Sequence, residues 1–478
     1  MLVENEKLSP LKTSLFDTKM TATTANNNNE LVVVAEAAAK PTTTIRRFVG
    51  NQIPSEILND PNLALAIKPL PGNYSFEIHK TIWRLRNENV SRLALQFPEG
   101  LLLYATTLAD IFKAFVPTIK DVVILGDVTY GACCVDDYAA TALGCDFLVH
   151  YGHSCLVPVS MTTCKTLYVF VDILFDEEHL VQSIRKNFPN RTDKIALAGT
   201  IQFASAIGKV RETLRPFYEC FDVGRTKPLS PGEVLGCTAP SLEDGEIFGA
   251  RKSDLMEGGE KKAHDAIVFI ADGRFHLEAM MIANPNVPAY RYDPYERVLT
   301  REYYDHVGMQ NVRKSMILRA KKAKKFGLIL GTLGRQGNPA VLDRLERLFE
   351  SRNKETVVFL ISEISPERIA SLSKSGGVDA FVQVACPRLS IDWGEAFVVP
   401  VLTPYEAYIC LEGTEAWDDV DTVLSEEKER KKEVPSYPMK YYADDGGEWT
   451  SSRFAQRQKT MGNRRDKPSV QLVMSSGN

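Results

Sequence analysis

Short β-rich runs alternate with longer amphipathic runs from residue 93 to residue 401, and this alternation argues for parallel sheets joined by crossover helices. Runs at 93–97, 122–125, 147–150 and 167–171 predict the strands of a first unit. Those at 194–198, 217–223, 266–270 and 288–292 predict a second, and those at 326–330, 356–360, 380–384 and 397–401 a third. Between them, Leu101, Tyr104, Leu108, Ile111, Phe112 and Phe115 share one helical face, as do Val341, Leu342, Leu345, Leu348 and Phe349. The expected fold class is α/β, with three related parallel-sheet domains.

The expected boundaries are a disordered leader over 1–44, α/β domains over 45–190, 191–315 and 316–412, and a charged, largely solvated extension over 413–478. The leader is expected because its Asn- and Thr-rich tract has little apolar surface to bury. A chain of 478 residues is long enough for three such domains at roughly 150 residues each. Lys and Arg number 57 against 61 Asp and Glu, so there is no overall basic field and no direct nucleic-acid binding is expected. No run approaches the roughly 18 apolar residues of a membrane span, and the first residues lack a signal-peptide pattern. A cytoplasmic protein is expected.

Cys133, Cys237 and Cys386 each sit in a turn just after an apolar strand-like run, one in each unit, at domain-length separations. The nine cysteines are odd in number and widely spread, which argues against a disulfide framework and for reduced thiols or metal ligation. Thiolates are soft ligands suited to iron-sulfur clusters or zinc. The alternative is that all three are buried small apolar residues. Cys134 competes with its neighbour Cys133 as the ligand of the first turn. Cys145, Cys164, Cys220 and Cys410 read as core residues, and His153-Ser154-Cys155 is an incomplete zinc pair.

The 331–339 loop, Gly-Thr-Leu-Gly-Arg-Gln-Gly-Asn-Pro, joins a strand to a helix and has the form of an anion-holding turn. Its glycines fall at 331, 334 and 337, which is not the dinucleotide fingerprint, and Gly208-Lys209-Val210 is not a phosphate-binding P-loop. Ordinary nucleotide hydrolysis and NAD chemistry are therefore disfavoured. His276 and Asp392, beyond other strand ends, are candidates for substrate contact or for helix capping.

Four stretches together carry a resemblance. They are Gly-Asp-Val-Thr-Tyr-Gly-Ala-Cys-Cys-Val-Asp-Asp at 126–137, His-Tyr-Gly-His-Ser-Cys at 150–155, the 331–339 loop, and Ala-Cys-Pro-Arg-Leu-Ser-Ile-Asp-Trp-Gly at 385–394. The chain resembles the diphthamide biosynthesis family over about residues 45–410. That resemblance implies three α/β domains around a central 4Fe-4S cluster, with Cys133, Cys237 and Cys386 as the metal ligands. It also implies transfer of the 3-amino-3-carboxypropyl group of S-adenosyl-L-methionine to C2 of a histidine in translation elongation factor 2. The implied mechanism is radical and cluster-initiated, because imidazole C2 is a poor nucleophile. The implied partners are a homologous second subunit in a heterodimer and a small iron protein as electron donor. Gly334, Gln336 and Gly337 are expected to help seat the cofactor. The rival reading is a noncatalytic zinc-binding scaffold within a translation-factor modification complex.

Overall fold

The computed structural model describes residues 53–127, 129–242, 247–248, 264–413 and 434–452. The expected leader, the charged run at 425–433 and the basic tail beyond 452 lie outside the described residues.

Three mixed or parallel sheets follow one another along the chain. The first holds β1 (Arg92–Gln96), β2 (Asp121–Leu125), β3 (Phe147–Tyr151) and β4 (Lys165–Val169) in the order β2-β1-β3-β4, all parallel. The second holds β5 (Lys194–Gly199), β6 (Cys220–Gly224), β7 (Ala266–Ile270), β8 (Ala289–Asp293) and β9 (Val298–Glu302) in the order β9-β8-β7-β5-β6, with Ile247–Phe248 beyond β6. Its β5, β6, β7 and β8 are parallel, while β9 and Ile247–Phe248 run antiparallel at the edges. The third is β10 (Lys325–Gly331), β11 (Glu355–Ile361), β12 (Ala380–Val384) and β13 (Val401–Leu402), parallel in the order β11-β10-β12-β13.

The central strands are apolar throughout because helices cover both faces of a parallel sheet. In β7, Ile267, Val268, Phe269 and Ile270 are all fully buried. At the edge, β11 buries little, and Leu360 stays exposed. The expected strand at 397–401 is reduced to the two residues of β13. The antiparallel β9, with alternating character and only partial burial, did not stand out in the sequence.

Helix α1 (Ala105–Phe115) buries Leu108, Ile111 and Phe112 in the core of the first sheet. Helix α2 (Phe275–Ala283) is apolar on nearly every side, since it is enclosed between the second and third sheets. Ile267 and Phe269 of β7, Met280 of α2, Met316 and Ile317 of α3 (His306–Lys321), and Phe326 and Leu328 of β10 belong to one continuous core. Helix α4 (Pro339–Ser351) starts where Asn338 accepts from the Ala340 amide at 3.1 Å and Pro339 takes the first helical position. It buries Val341, Leu342, Leu345 and Phe349, the face its periodicity predicts.

Arg313 of α3 crosses this core fully buried. Its guanidinium donates to Glu406 Oε1 and Oε2 at 2.7 and 2.6 Å, to the Ser390 carbonyl at 2.6 Å and to the Val401 carbonyl at 2.8 Å. Glu406 lies in α6 (Pro404–Glu412), on the far side of the short helix α5 (Pro387–Asp392) in sequence. Arg313→Ala would strand a buried carboxylate, so denaturant unfolding should show a loss of about 3–5 kcal/mol. A loss below about 1 kcal/mol would mean that Thr403 and Tyr437, which also donate to Glu406, hold its charge without the arginine.

The expectation of a solvated extension after residue 412 is corrected over 434–452. Tyr437, Met439, Tyr441, Tyr442 and Ala443 are buried there, as are Thr450, Ser451 and Ser452. This strap has no regular strand or helix; its burial comes from tyrosines and from backbone pairing with loops, which hydrophobic periodicity does not register.

Candidate metal centre

In the first sheet the chain leaves β2 and makes the Ala132–Cys134 turn, closed by a 2.9 Å hydrogen bond from the Cys134 amide to the Gly131 carbonyl. Gln96, buried at the end of β1, holds this turn. Its Nε2 donates to the Cys134 carbonyl at 3.0 Å, and its Oε1 accepts from the Asp136 amide at 3.1 Å. The same Oε1 lies 2.8 Å from His150 Nδ1, and His150 Nε2 lies 3.2 Å from His153 Nδ1. Since Gln96 Oε1 can only accept, His150 carries its proton on Nδ1 and accepts at Nε2 from His153. Burial pushes the His150 pKa well down and that of His153 down to about 4, so both rings are neutral near pH 7.

In the second sheet Cys237 lies in a tight turn in which the Leu235 and Thr238 amides and carbonyls pair with each other. Gly236 is required there, because a Cβ would fall 2.0 Å from the Phe275 ring. In the third sheet Cys386 follows β12 and precedes α5, and Gln383 Nε2 donates to its carbonyl at 2.9 Å.

Residues of the third unit clasp both other turns. The Arg335 amide donates to the Cys133 carbonyl at 2.9 Å, and Gln336 Nε2 approaches Cys134 Sγ at 3.9 Å. The Arg335 guanidinium forms a two-pronged pair with buried Asp137 at 2.7 and 2.6 Å and lies over the Tyr138 ring at 3.8 Å. Burial raises the Asp137 pKa, but Arg335 and Thr163 outweigh it, and the carboxyl titrates below its ordinary range. Arg388, two residues after Cys386, donates to the Gly236 carbonyl at 3.2 Å, the Phe275 carbonyl at 2.7 Å and Glu278 at 2.6 Å. Asp392 pairs with Arg388 at 2.8 Å and so orients it.

The 434–452 strap completes the enclosure. The Tyr441 amide donates to the Cys237 carbonyl at 3.3 Å, the Tyr442 amide to Thr238 Oγ1 at 3.0 Å, and the Ala239 amide to the Met439 carbonyl at 2.8 Å. Cys237, Tyr441 and Tyr442 share one apolar cluster with Ala132 and Leu156, and Cys133 and Trp449 pack against it.

The three predicted cysteines are therefore gathered at one place, and each feels the others. Cys134 and burial push the Cys133 pKa well up. Burial, then Cys386 and Cys133, do the same for Cys237. Burial and Cys133 push Cys386 up to about 12. Three mutually repelling buried thiolates need a multiply charged cationic group to exist together, and an all-sulfur donor set fits an iron-sulfur cluster. Their sulfurs do not form a group within 4.8 Å of one another; among the described residues Cys220, Asp222 and His264 meet that limit. A single tetrahedral zinc, with Zn–S about 2.3 Å, would draw its thiolates closer than that limit.

Gly334, Gln336 and Gly337 lie in this centre but face protein. Gly334 has φ of 52° and presses on the Cys134 and Val135 backbone, Gln336 is buried, and the Gly337 amide donates to the Gly331 carbonyl at 3.0 Å. His276 sits near enough to His153 and Arg388 for burial and the arginine to hold its pKa at about 4. The sequence reading passed over Gln96, Arg335, Arg388 and the strap tyrosines. The arginines inside two of the motifs, Arg335 directly after Gly334 and Arg388 two residues after Cys386, were the available signal, and their buried partners lie far away in sequence.

The family model for the diphthamide synthesis proteins matches residues 97–422. The chain is 52% identical over 398 residues to 2-(3-amino-3-carboxypropyl)histidine synthase subunit 1 of Neurospora crassa, covering 83% of this chain and 80% of the relative. To the human protein of the same name it is 50% identical over 405 residues, covering 84% and 83%. The crystal structure of Dph2 from Pyrococcus horikoshii with a 4Fe-4S cluster superposes with a TM-score of 0.56 at 26% identity, over 76% of this chain and 95% of that one. With three cysteine turns meeting between three α/β sheets, and with half of its aligned residues shared with these relatives, the chain belongs to the diphthamide synthesis family.

Proposed function

We propose that this chain is the cluster-bearing subunit of a 2-(3-amino-3-carboxypropyl)histidine synthase. It is a transferase that carries out the first step of diphthamide formation, moving the 3-amino-3-carboxypropyl group of S-adenosylmethionine to C2 of a histidine in translation elongation factor 2. The observation that carries this reading is the convergence of Cys133, Cys237 and Cys386, each from a different sheet, into mutual electrostatic contact. These three thiols would hold a 4Fe-4S cluster. When bound, the cluster supplies single-electron reduction of the sulfonium of S-adenosylmethionine, the chemistry that a radical attack on imidazole C2 requires.

The chain's own groups have definable parts in this reading. The Arg388 cation lowers the cost of ionising Cys386 and Cys237, opposing the burial that raises both. Neutral His153 and His276 offer ring nitrogens without adding positive charge to the site. Tyr441, Tyr442 and Trp449 close one side against water. Gly334, Gln336 and Gly337 belong to the proposal as positioning residues that seat the cofactor by setting the Ala132–Cys134 turn against the third sheet.

The name "subunit 1" shared by the relatives supports a partner subunit; a homologous second subunit in a heterodimer and a small iron protein as electron donor belong to the same proposal. No described helix is long and apolar enough to cross a membrane, and a cytoplasmic location forms part of the same reading. Anaerobic purification with the second subunit should yield a brown protein with about four irons and four sulfides per chain. It should transfer the aminocarboxypropyl group to elongation factor 2 only with dithionite or the iron protein present. A colourless protein holding zinc at these cysteines would instead support the scaffold reading.

A further inference from the structure

At the opposite ends of the second sheet from Cys237, three potential ligands meet. Cys220 opens β6, and Asp222 lies two residues on, so both side chains project from one face of the strand. His264 lies two residues before β7, which is separated from β6 only by β5. Cys220 Sγ donates to Asp222 Oδ2 at 2.9 Å, and His264 Nε2 stands 3.5 Å from the same oxygen. One ligand atom from each residue lies within 4.8 Å of the other two.

The imidazole carries the strongest signal. His264 is only 7% exposed, and its Nε2 makes no well-formed hydrogen bond, only the long 3.5 Å approach to the Asp222 carboxylate. A buried ring nitrogen held only by a long contact is poorly satisfied, and a metal bond would satisfy it. Cys220 and Asp222 are partly open to solvent, which leaves room for water as a further ligand. Arg211, paired with Glu212 at 3.2 Å, also faces the Asp222 carboxylate.

We propose that Cys220, Asp222 and His264 form a zinc-binding site with an open fourth position, distinct from the cysteine centre. A thiolate, an imidazole and a carboxylate make a three-ligand set suited to Zn²⁺, with water completing a tetrahedron. Binding releases the Cys220 thiol proton to solvent and involves no electron transfer. The ion ties β6 across β5 to the start of β7, and it stabilises the second sheet without entering the transfer chemistry. This inference goes beyond the proposed function and does not rest on it.

The test uses the full chain, purified anaerobically with its iron, depleted of zinc by a mild chelator and titrated with Zn²⁺ and Co²⁺. One equivalent of Co²⁺ should bind with a thiolate-to-cobalt absorption, and Zn²⁺ should displace it and raise the unfolding temperature. In Cys220→Ser and His264→Gln the cobalt absorption should be lost and affinity should fall at least about 10-fold. Iron content should stay unchanged, which also verifies that the variants fold. If either variant loses iron as well, Asp222→Asn, which retains the side-chain volume, provides the comparison. Absence of the cobalt band in the native chain, or the same band and affinity in iron-replete variants, overturns the proposal. Iron absent from every form would instead count against the cluster reading and leave the zinc result standing.

Discussion

Cys133→Ala, Cys237→Ala and Cys386→Ala should each strip most of the iron from the anaerobically purified protein and reduce transfer to elongation factor 2 by at least about 100-fold. The three act as one ligand set, so the loss should be similar for each and barely larger when two are combined. Cys134→Ala is the internal control. Cys134 is buried against Gln336 and Cys133, with its carbonyl held by Gln96, and the turn it belongs to survives loss of the thiol. Cys133 influences both Cys237 and Cys386, whereas Cys134 is influenced by Cys386 alone among the other two centres. The Cys134 change should therefore cost about 1–2 kcal/mol of stability from the small cavity and leave most of the iron in place. Iron loss in Cys134→Ala with iron retained in Cys133→Ala would move the first ligand by one residue. Iron retained in all of the single variants would remove the cluster from these cysteines altogether.

Gly334→Ala should be nearly as damaging, although it removes no ligand. Gly334 has φ of 52°, and an added Cβ would lie 2.5 Å from the Cys134 carbonyl oxygen, 2.6 Å from its carbon and 2.8 Å from the Val135 oxygen. All three atoms are backbone, so no side chain can swing away. The strained dihedral and the overpacking together should cost about 2–4 kcal/mol. Relief of the clash can come only by parting the 331–338 loop from the Ala132–Cys134 turn, which also breaks the bond from the Arg335 amide to the Cys133 carbonyl. Thermal unfolding should begin earlier, and iron per chain should fall. Gly208→Ala is the matched control, since Gly208 lies in the helix Ala204–Leu214 with open space around it, and alanine there should stabilise by about 1 kcal/mol. A Gly334→Ala protein with native iron and native unfolding temperature would show that the two loops do not depend on one another.

The contrast between Gly334 and the anion-holding turn expected of its loop shows what a motif conceals. The strand-loop-helix pattern at 331–339 is present, and Asn338 and Pro339 start the helix as such residues do. Yet Thr332, Arg335, Gln336 and Gly337 donate their amides to protein carbonyls. A local pattern reports the shape of a loop, but only the neighbouring chain decides whether its amides are available.

Arg335 and Arg388 make the same point with charge. A lone arginine in a sequence reads as surface, because an unpaired buried guanidinium is too costly. Here the partner of Arg335 is Asp137, 198 positions away, and Arg388 reaches Glu278 and Gly236 across 110 and 152 positions. The strap was hidden for a related reason: Tyr437, Tyr441 and Tyr442 follow neither a helical nor a strand period, and their burial depends on partners such as Glu406 and Thr238.

What the sequence determined by itself is most of the parallel strands, the helical faces at 101–115 and 341–349, and the turn in which each motif cysteine stands, because apolar runs and helical periods are local consequences of burying one face or both. Only the tertiary structure decided that Cys133, Cys237 and Cys386 meet, that Arg335 and Arg388 clasp the turns that carry them, and that 434–452 returns to cover the site. Those outcomes rest on contacts between residues a hundred or more positions apart, whose energies exist only once the three sheets have packed.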